Sequence, residues 1–397
     1  MSIVSKQNIV IVGAGIVGLS TAYALLKQGT HSVTVLEQER VDHPRSTSHG
    51  ISRLLRFEYG DNFFYTQLVQ LALTRWRTLE HISQRTLYSP TGLLVLGNED
   101  DDFTHSSYSV LRELGIPTTR LSQQQCQQRF PQFATTDYDM FTYNTQGGVL
   151  HASTCLRTLR DLILDLGGEI HEGSRVKQIE YGNAHRPVRI TLYSGERYNA
   201  DRVVLAVGPW VHHLIESLHL PVRMTRQYLL YFANLPLSSF GADAFPPFLA
   251  DELYGFPIHS TLAGRGPSWF KAASHNFGIP VEPEESTPIE ELLISQIVKR
   301  LRDLLPALRQ ASLIQVDSCM YDVSLDENFI LDTLSDDSRV IFATGLSGHG
   351  FKFGLVLGEI LSSMVQDRET PVAIDNFKLA RFTHKNSKGV AQRISVA

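Results

Sequence analysis

The stretch from Asn8 to Glu37 limits the possible folds more than any other part of the chain. Asn8-Ile9-Val10-Ile11-Val12 is short, apolar and β-branched, the pattern of a buried strand in a parallel sheet. It runs into Gly13-Ala14-Gly15-Ile16-Val17-Gly18 and a helical pattern through Leu26, which Gly29 stops. A second run, Ser32-Val33-Thr34-Val35-Leu36, ends on Glu37. A glycine turn between strand and helix lets the backbone approach a pyrophosphate at the positive end of the helix. The acid that ends the second strand suits a ribose diol and repels a 2′-phosphate, which disfavours NADP. A glycine turn alone says little. Framed by both strands and the acid, it specifies dinucleotide binding without separating FAD from NAD.

A chain of 397 residues has room for two domains, and its 43% hydrophobic and 19% charged residues are those of an ordinary globular protein. The net charge of −5 argues against a nucleic-acid partner, which needs a basic surface. Cys126, Cys155 and Cys319 are an odd set with no paired spacing, so neither a disulfide framework nor a zinc site is suggested. No metal is expected, and the compartment is read as reducing and cytoplasmic. The apolar segment Ile9–Leu26 could pass for a membrane span, but Gly13, Gly15 and Gly18 interrupt it and no basic stretch precedes it, so no membrane partner is expected. Ile394-Ser395-Val396-Ala397 is not a peroxisomal address of the Ser-Lys-Leu type.

A second constraint lies toward the other end. Ser318-Cys319-Met320-Tyr321 precedes a strand-like Val340-Ile341-Phe342-Ala343, and Thr344-Gly345-Leu346-Ser347-Gly348-His349-Gly350-Phe351-Lys352-Phe353 then leads into an apolar helix. Glycines so closely spaced admit a flat polar ligand, and the helix start offers it unpaired N–H groups and a positive dipole end. A thiol, a glycine loop and a helix dipole could all face one electron-poor ring, and the ring read there is a flavin.

Between these ends, the polar run Ser46-Thr47-Ser48-His49-Gly50 is followed by Arg53-Leu54-Leu55-Arg56. Two arginines three apart would share one side of a helical turn, either as a solvated face or beside the cofactor with one reserved for a carboxylate. Leu68, Val69, Ala72, Trp76 and Leu79 form a helical stripe with Trp76 in the core. Short helices are expected near Tyr108–Leu114 and Ser122–Gln128, the second capped by Ser122, with Cys126 and Cys155 inert. Trp269-Phe270-Lys271-Ala272-Ala273-Ser274-His275 embeds a lysine in an apolar run. Such a lysine commonly snorkels from a strand edge; turned inward, its charge must have a purpose.

In these pieces and their order the chain resembles the monomeric sarcosine oxidase family of flavoproteins, which includes N-methyltryptophan and pipecolate oxidases within the D-amino-acid-oxidase-like fold. The matching segments are Gly13–Gly18 with Glu37, Arg53-Leu54-Leu55-Arg56, Tyr254-Gly255-Phe256-Pro257, Lys271 with His275, Cys319-Met320-Tyr321 and Gly345–Phe353. The resemblance implies an α/β protein: a Rossmann-type FAD-binding domain made of residues 1–90, 147–215 and 319–397, and a discontinuous α+β substrate domain of residues 91–146 and 216–318 on a mixed or antiparallel sheet. It implies FAD bonded through Cys319 to the C8 methyl of its ring. Gly13, Gly15, Gly18, Glu37, Ser48, Val176, Gly348, Gly350 and Lys352 are then expected at the cofactor.

The same resemblance gives the substrate carboxylate to Arg56 and Lys352, and places Arg53 close to the flavin. Tyr254, His275 and Tyr321 would line the substrate cavity, and Lys271 would promote the reaction with oxygen at the other flavin face. The implied chemistry is hydride removal from the carbon beside a secondary amine, giving an imine that hydrolyses, with oxygen reduced to hydrogen peroxide. The expected partners are a small amino acid and oxygen, and the expected state is a monomer. The alternative is a flavin-dependent amino acid dehydrogenase that passes electrons to a carrier. A catalytically silent dinucleotide-binding protein would have no reason to keep Arg56, Lys271 and Lys352. Two departures, a long loop Ile258–Phe270 carrying Arg265 and Trp269, and Phe57-Glu58 after Arg56, fall where the pocket and its lid should be. A bulkier or cyclic secondary amino acid is therefore expected as readily as sarcosine.

Overall fold

The computed structural model describes residues 7–182, 185–215, 218–262, 268–275, 278, 280–284 and 289–383; Arg265 and residues 394–397 lie outside them. The chain opens with β1 (Gln7–Val12), α1 (Ile16–Leu26) and β2 (His31–Leu36), then β3 (Arg53–Leu55), a long α2 (Phe63–Ser83) and β4 (Tyr88–Ser89). Next come β5 (Leu93–Gly97), α3 (Asp102–Glu113), β6 (Thr118–Leu121), α4 (Gln123–Arg129) and β7 (Met140–Asn144). They are followed by β8 (Gly148–Leu150), α5 (Ala152–Asp165), β9 (Glu169–His171), β10 (Val176–Glu180), β11 (Val188–Leu192), β12 (Arg197–Ala200), β13 (Arg202–Leu205) and α6 (Val211–Leu214). The later part holds β14 (Val222–Ala233), α7 (Leu237–Phe240), β15 (Phe248–Ala250), β16 (Leu253–Gly255), β17 (Phe270–Ser274), α8 (Glu291–Leu304), β18 (Ser312–Ser324), β19 (Ile330–Thr333), β20 (Val340–Thr344) and α9 (Gly354–Val365).

Among the described residues, six strands join in the order β19, β20, β13, β1, β2, β9. All the pairs are parallel except β19 with β20. The run from Ile9 to Val12 is buried throughout, because α1, α2, α5 and α9 cover one face of the sheet and the small antiparallel sheet β10–β12 covers the other. Parallel strands leave a ligand crevice at their carboxyl ends, here the ends of β1 and β2.

Eight further strands form a second sheet in the order β18, β14, β17, β16, β15, β5, β7, β6, antiparallel but for β15 with β5. Side chains alternate across it. Tyr228, Leu230 and Phe232 of β14, with Phe270 and Ala272 of β17, pack on Phe240, Phe245, Phe248 and α8. Leu229, Tyr231 and Ala273 form a separate cluster on the opposite face. Lys271 is paired with Tyr231 across the two strands and shares that second face. β17 is an inner strand, so Lys271 does not reach water from an edge; it is 2% exposed.

Two local expectations change. Arg53 and Arg56 do not share a helical turn, because Arg53–Leu55 is extended and pairs with Leu150, Val149 and Gly148 of β8. α3 begins at Asp102 and not near Tyr108, because the Asp101 carboxylate accepts from the Phe103 and Thr104 N–H groups and nucleates an earlier turn. β18 pairs with β14 as far as Ser324 before the chain crosses to the six-stranded sheet. The cap at Ser122 forms as expected, with Gln125 completing a capping box. No helix among the described residues is long and apolar enough to cross a membrane.

Candidate active site

A cleft of about 320 Å³ opens at the ends of β1 and β2, lined among others by Gly13, Gly15, Glu37, Ser48, Val176, Gly348 and Gly350. Gly13 has φ +101°, and a Cβ there would overlap Ala206 O. Gly18 is not on the cleft wall; a Cβ on it would overlap Gly13 O, so it lets α1 lie against the turn. Gly15 offers α1 no side-chain cap, and Ser48 Oγ instead accepts from Ile16 N at 3.0 Å. Glu37 accepts from Ala14 N at 2.7 Å and from Glu39 N at 3.0 Å. Burial raises its pKa, against the pull of those two hydrogen bonds. Each carboxylate oxygen keeps a lone pair for the cleft. Arg45, Arg53, Arg175 and Lys177 also line the space, so the cleft fits a diphosphate joined to a ribose.

A smaller cavity of about 80 Å³ is lined by Arg53, Arg56, Tyr254, Lys271, His275, Cys319, Tyr321 and Lys352, among others. Arg53, Tyr321, Gly348 and Phe351 line both spaces, so they share a wall. Every residue expected at the reacting centre therefore meets one cavity. Strand register explains the convergence: Asp317, Cys319 and Tyr321 alternate along β18, opposite Leu229, Gln227 and Thr225 of β14. Gly348, with φ +73°, passes so close to the Tyr321 ring that a Cβ would overlap it.

The cations in this cavity are held mainly by backbone oxygens. Lys271 Nζ donates to Ser52 O at 3.2 Å and Ser52 Oγ at 3.4 Å. Arg53 donates to Ser52 O at 2.9 Å and to Thr47 O and His49 O, each at 2.7 Å. Arg56 donates to Glu58 O, and its guanidinium lies 4.4 Å from the Tyr59 ring centre. Lys352 Nζ donates to His349 O at 3.4 Å, while the Trp76 indole donates to Lys352 O at 2.7 Å. Trp76 is thus core and also a tie on the loop that presents Lys352. Glu58 is buried and anchored by Asn144 Nδ2 at 3.2 Å and Phe57 N at 2.9 Å.

Burial sets the ionisation of the site. It lowers Lys271 to about 7, with the Arg53 charge acting the same way. It lowers Lys352 well below the usual lysine range, helped by Arg56 and opposed by Glu58. His275 is pushed down to about 3 by burial and by Arg56 and Lys352, and Tyr254 up to about 12 by burial. The Cys319 thiol is raised by burial, against Arg53 and Lys271. A pocket where Arg56 and Lys352 depress each other's neighbours favours an incoming anion, whose charge relieves that repulsion.

Sequence reading missed several contributors. Ser52 passed for loop, and His259, which contacts it, gave no local signal because the two are 207 positions apart. The outer rim was missed too: Glu284, between β17 and α8, contacts Arg175 at 3.1 Å, Trp210 Nε1 at 2.9 Å and Arg45 at 3.5 Å.

A dinucleotide cleft that shares a wall with a buried cationic pocket is the layout of a redox enzyme that holds a small anion against its cofactor. The chain belongs to the DAO family of FAD dependent oxidoreductases, whose family model matches residues 8–364. It is 34% identical over 381 residues to peroxisomal sarcosine oxidase of Mus musculus, covering 94% of this chain and 96% of the relative. It is 29% identical over 384 residues to N-methyl-L-tryptophan oxidase of Yersinia pestis (strain Pestoides F), covering 94% and 99%. The fold is shared with NikD, an unusual amino acid oxidase essential for nikkomycin biosynthesis, at TM-score 0.79, 21% identity and coverage of 94% and 97%. It is shared also with L-proline dehydrogenase from P. horikoshii, at TM-score 0.81, 18% identity and coverage of 96% and 98%. The expected α/β fold class and the family resemblance are both borne out.

Proposed function

We propose that the chain oxidises secondary amino acids, N-methylated or cyclic, with an FAD joined to Cys319, and returns the electrons to oxygen. The observation that carries this reading is the convergence of Arg56, Lys352, His275, Tyr254, Lys271 and Cys319 on one cavity beside the nucleotide cleft. The relatives named for sarcosine and for N-methyl-L-tryptophan support an N-methylated amino acid as substrate. When bound, FAD supplies the hydride acceptor and the path to oxygen.

The protein's own residues do the rest. Gly13, Gly15, Gly18 and Ser48 shape the diphosphate turn, Glu37 takes the ribose, and Val176, Gly348 and Gly350 close on the cofactor. Arg56 and Lys352 hold the substrate carboxylate, a bidentate fork plus a point charge. His275 is neutral down to about pH 3 and Tyr254 protonated up to about 12, so both hydrogen-bond without changing charge. That suits orienting an amine better than storing its proton. Tyr321, hydrogen-bonded to Tyr254, steadies it. Arg53, fixed by three carbonyl oxygens, keeps a permanent charge beside the ring. Lys271 offers a cation where negative charge develops on oxygen.

Cys319 is partly exposed and lines the cavity, whereas Cys126 and Cys155 are buried, which supports Cys319 as the attachment point. The same reading takes the protein as a cytoplasmic monomer. It assigns the six-stranded sheet to the FAD half and the eight-stranded sheet, through Ser324, to the substrate half. The deciding experiment offers N-methyl, cyclic and primary amino acids to the enzyme in air. One peroxide per amine oxidised, with secondary amines preferred, is expected. Turnover only after an electron carrier is added would overturn the oxidase reading in favour of a dehydrogenase.

A further inference from the structure

We propose that His259 is a positioning residue for Lys271, acting through Ser52: it fixes the serine hydroxyl as an acceptor toward Nζ and leaves one ammonium hydrogen to point into the cavity. The functional meaning rests on the oxygen-side role read for Lys271 above.

His259 opens the short turn His259–Thr261 and is 2% exposed. Its Nδ1 lies 3.2 Å from Trp269 O and its Nε2 2.8 Å from Ser52 Oγ. A carbonyl oxygen only accepts, so Nδ1 carries the ring hydrogen and Nε2 of the neutral imidazole accepts from the hydroxyl. Burial, with the Lys271 charge adding to it, pushes His259 down to about 3, so the ring stays neutral wherever the protein works. A hydroxyl whose hydrogen is committed to Nε2 turns only lone pairs to its other neighbours. Ser52, itself fully buried, then presents two acceptors to Lys271, Oγ at 3.4 Å and O at 3.2 Å. Two ammonium hydrogens are engaged there, and the third faces the cavity that Ser52 and Lys271 both line.

Released from Nε2, the hydroxyl is free to turn its hydrogen toward the amine nitrogen, an arrangement that favours neutral lysine. Hydrogen bonds accepted from the charged form favour that form, so His259 acts to keep Lys271 protonated. It works against stronger pulls. Burial and then Arg53 lower the lysine to about 7, while Cys319 and Asp317 act upward. Tyr231 sits opposite Lys271 on β14, and the Phe256 ring centre lies 5.2 Å from Nζ. His151, hydrogen-bonded to Ser89 at 2.9 Å, also acts to lower His259. A group balanced near neutrality responds fully to the loss of one acceptor.

The test reads Lys271 directly, by lysine side-chain nitrogen NMR of the labelled holoenzyme across pH, with the resonance assigned by its loss in Lys271→Met. In His259→Leu the midpoint is expected to fall by about one pH unit, and reoxidation at fixed pH above it to slow about tenfold. Ser52→Ala should move the midpoint in the same direction, and combining the two should add nothing. His259→Gln, whose amide oxygen can accept from the hydroxyl, should restore the wild-type midpoint. An unmoved midpoint in His259→Leu overturns the proposal, as does a His259→Gln shift as large as that of His259→Leu. If His259→Leu does not fold, an unmoved midpoint in Ser52→Ala overturns it equally. Lys271→Met reoxidising as fast as wild type would sink the oxygen-side reading and leave the midpoint comparison standing.

Discussion

An ammonium taken into a protein interior loses hydration worth several kcal/mol, and among the described residues Lys271 gains the two acceptors of Ser52 in return. The balance shows as a lysine pulled to about 7. Below that value the cation is present, and above it the amine is neutral. The oxygen half-reaction is therefore expected to slow as pH rises through about 7, and rapid mixing of reduced enzyme with oxygen across pH reads the midpoint. Lys271→Met removes the charge at every pH and should slow reoxidation by roughly 10²–10³-fold, the cost of losing one preorganised electrostatic contact, while anaerobic reduction by substrate changes far less. Equal loss in both half-reactions would count against the assignment. At the other side of the cavity, Arg56→Gln or Lys352→Met should each forfeit about 1.5–3 kcal/mol of charge-assisted bonding, a rise in KM of roughly 10–150-fold. An unchanged KM would remove both from the carboxylate site.

At the scale of elements, what could be read in advance is what the chain encodes locally. β1, α1 and β2 follow from a β-branched run, a glycine turn and an acid within one short stretch, and the Ser122 cap from residues three apart. β3 was misread as helical because what holds Arg53–Leu55 extended is Gly148–Leu150, far along the chain. The long pairing of β18 with β14, which aligns Cys319 and Tyr321 with the cavity, has no periodicity to betray it, since Ser312–Gln315 is exposed and the end of the strand is buried. The glycine loop was legible as permissive backbone, and the reason for Gly348 is now specific. Gly29 and Gly348 both have positive φ, but only Gly348 has a ring where a Cβ would go. Gly29→Ala should cost about 1 kcal/mol, while Gly348→Ala should cost more and displace Tyr321, seen as a larger fall in Tm and loss of bound flavin. Equal falls in Tm would mean that the Tyr321 contact is not what requires glycine.

Across the whole molecule, the cofactor site is assembled from parts of the chain that meet only in the fold. In the proposed reading the N-terminal turn holds the diphosphate end and β18 with the loop before α9 the ring end, while Glu284 joins the outer rim of the cleft to Arg175, Trp210 and Arg45. These rim pairs are exposed and individually weak, so their effect should appear in retention and not in folding. In a Cys319→Ser background, Glu284→Gln should lose flavin faster than Cys319→Ser alone, and added salt should narrow the difference; identical loss rates would assign the rim no part in holding the cofactor. The central claim is that the sulfur on β18 and the dinucleotide held by the N-terminal turn reach one another. Digestion of the denatured holoenzyme and mass analysis of its peptides tests this most directly. The flavin should travel with the peptide that contains Cys319 and appear free in solution from Cys319→Ser. An unmodified Cys319 peptide from wild type, with flavin released or carried on another residue, would contradict the account.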